Sequence, residues 1–330
     1  MKSLSEPLVS IITPVYNGAE HLAECIESIL AQTYRNWDYT IVNNCSTDDS
    51  LEIARRYAAK DSRIRVHNNS AFLNVIANHN AALHQISGDS KYCKLVFADD
   101  WIFPECLERM VALAEMHPSV GLVGAYVLQG TEVVCTGLAY SEKFVSGREI
   151  GRRHFLDRLY VFGSANAVLY RADVVKDSGC FYNESNIHAD TEVCFTILKD
   201  ADFGFVHQVL SFTRVRSESL STASADLHTY YSGMLRILDA HGSDYLTPSE
   251  LERFIRRHMA EYYRFLGKSL LLGHKNTLKY HRKKLMDEGK GFSWPRVLKG
   301  ALEAAWGKLL RPRSIATKMF RARESESRTI

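Results

Sequence analysis

Four short apolar runs alternate with helical periodicity in the first hundred residues, and that alternation leaves few folds open. Leu8 to Ile12 is β-branched and reads as a buried first strand. Pro14 lacks a donor and Asn17-Gly18 is turn chemistry, so Thr13 to Gly18 is expected to end that strand. A helix follows with Leu22, Ile26, Ile29 and Leu30 on one face. Tyr39 to Val42 is the second strand and runs into Asn43 to Asp49, a polar loop rich in capping residues. A helix carrying Leu51, Ile53, Ala54 and Tyr57, a third strand at Ile64 to His67 and a helix over Asn74 to Ile86 come next. Leu95 to Phe97 is the fourth strand. This order predicts an α/β fold, a doubly wound, mostly parallel sheet flanked by helices.

Pro104 opens the next helix, over Leu107 to Met116, and Val120 to Tyr126 is a further strand. Thr131 to Thr136 and Asn166 to Tyr170 read as strands, with a mobile or helical link over Arg148 to Leu159. Ala172 to Asp177 is a short helix, Asp190 to Leu198 another, and Phe203 to Leu210 the last strand. From about Asp226 only helical periodicity remains. The expected division is therefore 1–220, the α/β domain, and 221–330, an all-helical, basic C-terminal extension.

The net charge of +3 over 330 residues hides an asymmetry. His274 to Arg323 carries 14 Lys/Arg against 3 Asp/Glu, whereas residues 1–273 carry 26 against 33. A basic tail on an acidic body suggests an anionic partner. Nucleic acid is not expected, since the basic residues lack interleaved aromatics and no recognition motif is present. Seven scattered cysteines without paired spacing read as free thiols of a reducing compartment. The polar Met1 to Pro7 is no signal-peptide core, and no apolar run reaches the ~18 residues of a membrane span. A cytoplasmic body is expected.

The fourth strand ends in two adjacent carboxylates, Asp99 and Asp100. Neighbouring carboxylates repel, and a site that keeps them together usually adds a cation. In open α/β sheets ligands gather at the carboxyl ends of strands, and Mg²⁺ is typically shared between carboxylates and phosphate oxygens. The plain alternative is a solvated turn with a helix cap. No Gly-x-Gly-x-x-Gly follows the first strand, which argues against a nicotinamide or flavin cofactor. Gly267-Lys268-Ser269 imitates the end of a P-loop, but Tyr262 stands where its first glycine belongs and the segment is helical in pattern.

Val9 to Asn17, Ile41 to Asp48 and Ala98-Asp99-Asp100 together resemble the ordered motifs of family-2 glycosyltransferases of the GT-A fold, over roughly residues 7–220. The resemblance implies a nucleoside-diphosphate-sugar donor, a divalent cation (Mg²⁺ or Mn²⁺) and transfer with inversion. It places Pro14, Tyr16 and Asn17 at the base, with Tyr16 stacking. It places Asn44, where the family normally offers a carboxylate, as acceptor for the base N–H, and Asn80 facing the nucleotide. A capping turn at Asn43-Asn44 and a polar surface at Asn80 are the plain alternatives. Phe97 replaces the first Asp of the common Asp-x-Asp-Asp motif. Asp99 is then implied to hold the ribose or help with the metal, and Asp100 to bind the metal and so the diphosphate.

Gly179-Cys180-Phe181-Tyr182, followed by His188-Ala189-Asp190-Thr191-Glu192, resembles the family's turn and acidic catalytic motif. Asp190 is the implied general base, Glu192 the second candidate, and Ala189 replaces a usual acidic neighbour. Asp190 also reads as the cap of the helix from Thr191, and the two roles are compatible. Arg214 and Arg216 after the last strand suit phosphate oxygens. For His188 and His207 a structural role is the simpler reading. In the extension, Leu298, Leu302, Ala305, Trp306, Leu309 and Leu310 form an apolar stripe with Lys299, Lys308, Arg311 and Arg313 beside it. A basic amphipathic helix with a Trp suits an anionic membrane surface and a peripheral position on its inner face; a helix docked on the body is the alternative. The sequence thus favours a transferase acting on a glycan or lipid-linked acceptor. A non-catalytic nucleotide-sugar-binding or scaffolding relative is the second reading. A nucleotidyltransferase would need a basic glycine-rich loop after the first strand, and Thr13 to Gly18 has neither Lys nor Arg.

Overall fold

The computed structural model describes residues 6–216, 224 and 226–309. Its sheet contains β1 (Val9–Val15), β2 (Trp37–Asn43), β3 (Ile64–Asn68), β4 (Tyr92–Leu95), β5 (Trp101–Ile102), β6 (Val120–Gln129), β7 (Glu132–Val134), β8 (Phe144–Val145), β9 (Leu169–Arg171) and β10 (Asp202–Thr213). The strand order is β3-β2-β1-β4-β9-β6-β10-β5, with β7 on β6 and β8 on β10. β3, β2, β1 and β4 run parallel, with Ile11 opposite Tyr39 on one side and Lys94 on the other. β9 enters antiparallel between β4 and β6, and β10 lies parallel to β6. Every residue of β1 is buried, as expected of a strand covered on both faces.

The helices of this part are α1 (Ala19–Leu30), α2 (Ser50–Ala58), α3 (Val75–Leu83), α4 (Cys106–Met116), α5 (Gly147–Asp157), α6 (Ala172–Lys176) and α7 (Ala189–Leu198). Leu22, Cys25, Ile26 and Ile29 of α1 pack with Ile11, Ile41, Met110 and Val123 in one core. All seven cysteines are free.

Three local expectations change. β1 runs through Pro14 to Val15, where a stop was expected. Ile12 O accepts from Val96 N on the β4 side and Val15 O from Asn44 N on the β2 side. Bonding sides alternate along a parallel strand, so position 14 faces β4 beyond the last paired residue there, Leu95. A missing N–H does no harm at that place. The strand expected over Leu95 to Phe97 lies earlier, at Tyr92–Leu95, because Phe97 O turns back to accept Asp100 N. Finally, β5 stands between the paired carboxylates and α4, held by β10.

The chain divides into two units, Met1–Ser219 with His241–Leu246, and Leu220–Ala240 with Thr247–Ile330. The second contains most of α8 (Tyr230–Tyr245), then α9 (Pro248–Leu271), α10 (Lys275–Asp287) and α11 (Trp294–Leu309). The last turn of α8 goes with the first unit, where Tyr245 donates to Phe195 O. α9 starts with a capping box of Thr247 and Glu250 and with Pro248 in its first turn. Gly267-Lys268-Ser269 lies inside α9, so it forms no phosphate loop. No helix of the described residues is long and apolar enough to cross a membrane.

α9 and α11 touch backbone to backbone. A Cβ on Gly267 would lie 2.1 Å from Ala301 N, and one on Gly300 would lie 2.3 Å from Tyr263 O. Alanine normally gains about 1 kcal/mol over glycine in a helix, but here it forces the helices apart. Gly267→Ala and Gly300→Ala are each expected to lower stability by about 1–3 kcal/mol, read as a lower urea midpoint; unchanged or raised midpoints refute the close packing.

Candidate active site

The turns after β1 and β2 are stitched together by the residues that make up both motifs. Asn17 takes a left-handed conformation, φ 48°, which asparagine tolerates better than most residues. Its Oδ1 accepts from Thr47 N at 2.8 Å and its N–H donates to Ser46 Oγ at 3.0 Å. Gly18 N donates to Ser50 Oγ and Ala19 N to Asp48 Oδ2, both at 2.9 Å. Asn17 therefore shapes the loop, while Pro14 is buried in β1 below it. Tyr16 is left outward and 50% exposed, with Phe72, 59% exposed, edge-on at 4.8 Å. The two rings form an open aromatic corner that can take a planar base.

Asn44 and Asn80 do something other than expected. Asn44 Oδ1 accepts from Leu73 N at 3.0 Å and from Asn69 Nδ2 at 3.0 Å, and its Nδ2 donates to Leu73 O at 2.8 Å. Both lone pairs of the oxygen are in use, so in this conformation it does not offer itself to a base. Asn80 Oδ1 accepts from Tyr182 N at 2.7 Å and its Nδ2 donates to Tyr182 O at 2.8 Å. Each asparagine pairs with the N–H and C=O of one distant residue. They act as struts for the 69–73 loop and the 179–182 turn.

Asp99, Asp100, Arg214 and Arg216 do meet. Arg216 Nη1 lies 3.0 Å from Asp99 Oδ2. Arg214 donates its backbone N–H to Asp100 Oδ1 at 2.9 Å, its Nε to Asp99 O at 3.1 Å and its Nη2 to Glu24 Oε2 at 2.7 Å. Trp101 and Phe212 stack at 3.6 Å beneath the Arg214 guanidinium. Asp100 is only 3% exposed. Burial, and then the neighbouring Asp99 charge, push its carboxyl up to about 7, against the pull of the Arg214 N–H. Such a carboxyl is one that a cation would re-ionise. Among the described residues no three His, Cys, Asp or Glu gather as metal ligands. Two carboxylates completed by phosphate oxygens are nevertheless a usual donor set for Mg²⁺, so the residues fit such an ion.

Asp190 is the second residue of α7 and not its cap as expected; His188 stands at the cap position without a side-chain cap bond. Its Oδ1 accepts from Thr191 N at 2.7 Å. Burial raises its pKa above the ordinary carboxylate range. Glu192 is occupied elsewhere: Asn186 Nδ2 donates to it at 2.6 Å and Asn183 Nδ2 at 3.2 Å.

The sequence reading passed over the aromatic bridge between these groups. Phe97, two residues before Asp99, stacks on His79 at 5.1 Å, and His79 meets the edge of Tyr182 at 6.2 Å. Burial pushes the His79 ring down to about 4, so it is neutral. Tyr182 Oη lies 3.3 Å from Tyr170 Oη, and both phenols feel the Asp190 charge after the larger effect of burial. Tyr160 is close to Asp190 as well, its phenol raised by burial and then by that charge. The Phe97 that departs from the family motif thus begins a row of rings leading toward Asp190. Lys94 was also missed. It is fully buried and donates to Asn166 O at 2.5 Å and Val168 O at 3.1 Å, pinning the turn before β9 to β4.

Comparison with known proteins accords with this geometry. The family model "Glycosyl transferase family 2" matches residues 10–179, which is more than half of the chain. The chain belongs to glycosyl transferase family 2. The putative glycosyltransferase EpsE of Bacillus subtilis is 41% identical over 125 residues, 38% of this chain and 44% of that protein. An uncharacterized glycosyltransferase of Rickettsia typhi is 27% identical over 242 residues, 70% of this chain and 73% of that one. The chain thus spans less than half the length of the Bacillus relative. S. aureus TarS 1–349, solved in complex with UDP-GlcNAc, superposes with a TM-score of 0.66 at 18% identity, covering 84% of this chain and 80% of TarS. The Pyrobaculum calidifontis mannosyltransferase PcManGT, in complex with GDP-Man and Mn²⁺, gives 0.56 at 16% identity, covering 96% and 84%. At those identities the likeness speaks for the fold, a GT-A-type mixed sheet flanked by helices.

Proposed function

We propose that this family-2 chain is a metal-dependent inverting glycosyltransferase. It moves a sugar from a nucleoside diphosphate to a glycan or lipid-linked acceptor, in the building of a polysaccharide, as a cytoplasmic protein lying peripherally at the membrane. The observation that carries this reading is the buried Asp100 beside Asp99 beyond β4, gripped by Arg214 and Arg216. The base lies in the Tyr16–Phe72 corner, on loops shaped by Pro14 and Asn17 and walls braced by Asn44 and Asn80. Asp99 holds the ribose, and Asp100 with Asp99 would hold Mg²⁺ or Mn²⁺. Such an ion supplies Lewis-acid stabilisation to the departing diphosphate. Arg214 and Arg216 pair with phosphate oxygens in charge-assisted bonds.

Asp190 takes the proton of the acceptor hydroxyl. The freed oxygen attacks the anomeric carbon in line with the breaking bond to the diphosphate. A single displacement inverts that centre and needs one carboxylate as base, whereas retention by double displacement needs a second as nucleophile. Glu192, tied to two asparagine amides, is not positioned as that second group. A thermal-shift screen of UDP-, GDP- and dTDP-sugars with and without Mn²⁺ tests the reading. One donor series is expected to raise the melting temperature in a Mn²⁺-dependent way. If none does so, the proposal is overturned.

A further inference from the structure

α11 has two apolar sides, and the fold uses one. Val297, Gly300 and Ala301 are buried against α9. Trp294, Leu298, Leu302 and Trp306 are 46%, 54%, 73% and 65% exposed. These four follow one another at four-residue steps, so they form a ridge about 18 Å long that winds slowly around the helix. The expected stripe of Leu298, Leu302 and Trp306 is thus not the docked side; small residues dock, and the large ones face outward. Of the stripe's other members, Ala305 is half-buried, and the side chains of Leu309 and Leu310 lie outside the described residues.

Charge decides what covers the ridge. Arg296 and Lys299 are exposed on α11, and Lys275, Lys279, Arg282 and Lys283 are exposed on α10. Glu303, the acidic residue of α11, is paired with Arg264 at 3.1 Å. The sequence from 310 to 323 adds Arg311, Arg313, Lys318, Arg321 and Arg323 and no Asp or Glu. A second copy would set this basic surface against itself, and the 310–323 segment would do the same. An anionic lipid surface accepts both features at once: aliphatic side chains enter the acyl boundary, tryptophans sit at headgroup level, and lysines and arginines meet lipid phosphates.

We infer that the Trp294–Leu298–Leu302–Trp306 ridge of α11 is the face by which this chain lies on anionic phospholipid. The inference deepens the peripheral placement proposed above and rests on that reading. The test is co-sedimentation of the full chain with vesicles of phosphatidylcholine alone or mixed with phosphatidylglycerol, at low and high salt. Binding is expected with the anionic vesicles, weakening as salt screens the charge. Leu302→Glu and Trp306→Glu are each expected to reduce the bound fraction by about tenfold or more. Both side chains are already in solvent, so the melting temperature should hold. Equal binding to neutral vesicles, or variants that bind like the parent, overturns the inference. A light-scattering mass of a dimer that becomes a monomer in Leu302→Glu overturns it in favour of a second copy. Mn²⁺-dependent donor shifts are measured separately. Their loss in the parent protein defeats the enzymatic reading without touching this one.

Discussion

Asp190→Asn is expected to reduce sugar transfer by about 10²–10⁴-fold, the range a positioned general base supplies, while leaving donor affinity within a factor of about two. Asparagine keeps the shape and still offers an oxygen to Thr191 N–H, the bond that Asp190 Oδ1 makes. What it cannot do is accept the acceptor's proton. Burial raises the Asp190 pKa, and the base works only when ionised. Activity should therefore climb with pH through a limb above the ordinary carboxylate range, and the variant's residual activity should lack that limb. Glu192→Gln is the control: its loss loosens the bonds to Asn183 and Asn186, but the limb stays. Turnover in a donor-consumption assay, with donor affinity from calorimetry, separates the readings. Wild-type turnover in Asp190→Asn removes the residue from the chemistry. Donor binding without turnover in the parent protein, across a broad acceptor panel, moves the chain to the non-catalytic reading.

The parts that were legible from sequence are those whose signal is local. β-branched runs marked β1 to β3, and helical periodicity marked α1, α2 and α4. Asp99 and Asp100 at one strand end and Arg214 and Arg216 after the last strand stood out separately in the sequence; their meeting is what the fold adds, because parallel strands deliver their C-terminal ends to one edge. What stayed hidden depends on partners far along the chain. Asn44 and Asn80 stood where nucleotide ligands belong, yet their amides are occupied by Leu73 and Tyr182, 29 and 102 residues away. No pattern of spacing announces such a pairing. β5 is two residues long and exists because β10 lies beside it, which is tertiary context overriding local preference. On α11 the apolar stripe was visible, but whether it faced a membrane or the body was open in the sequence, because what docks is the small-residue side, where Gly300 and Ala301 permit the closest approach.

Asp100→Asn should make the metal-free protein more stable and the enzyme worse, and those opposite signs give the test its force. Burial holds the Asp100 carboxyl at about 7, against an ordinary 3.8. The unfolded chain ionises there from about pH 4 upward, while the folded chain keeps the proton until about pH 7. Folding is therefore progressively disfavoured as pH rises through that window, by something of the order of 4 kcal/mol in full above it. Asparagine escapes the penalty and still accepts the Arg214 N–H that Asp100 Oδ1 receives. Its metal-free melting temperature at pH 8 should exceed the parent's by roughly 5–10 °C, and the gap should close toward pH 4. The same change removes a charge that a divalent cation and a leaving diphosphate require. The Mn²⁺-dependent response to donor should vanish, and turnover should fall by about 10²–10³-fold. A carboxylate kept only to brace the turn predicts the reverse: lower stability at every pH and an undiminished donor response. Either result would break the link between the burial of Asp100 and its work. A buried acid that weakens the fold at working pH makes physical sense when the ligand it awaits brings the missing charge.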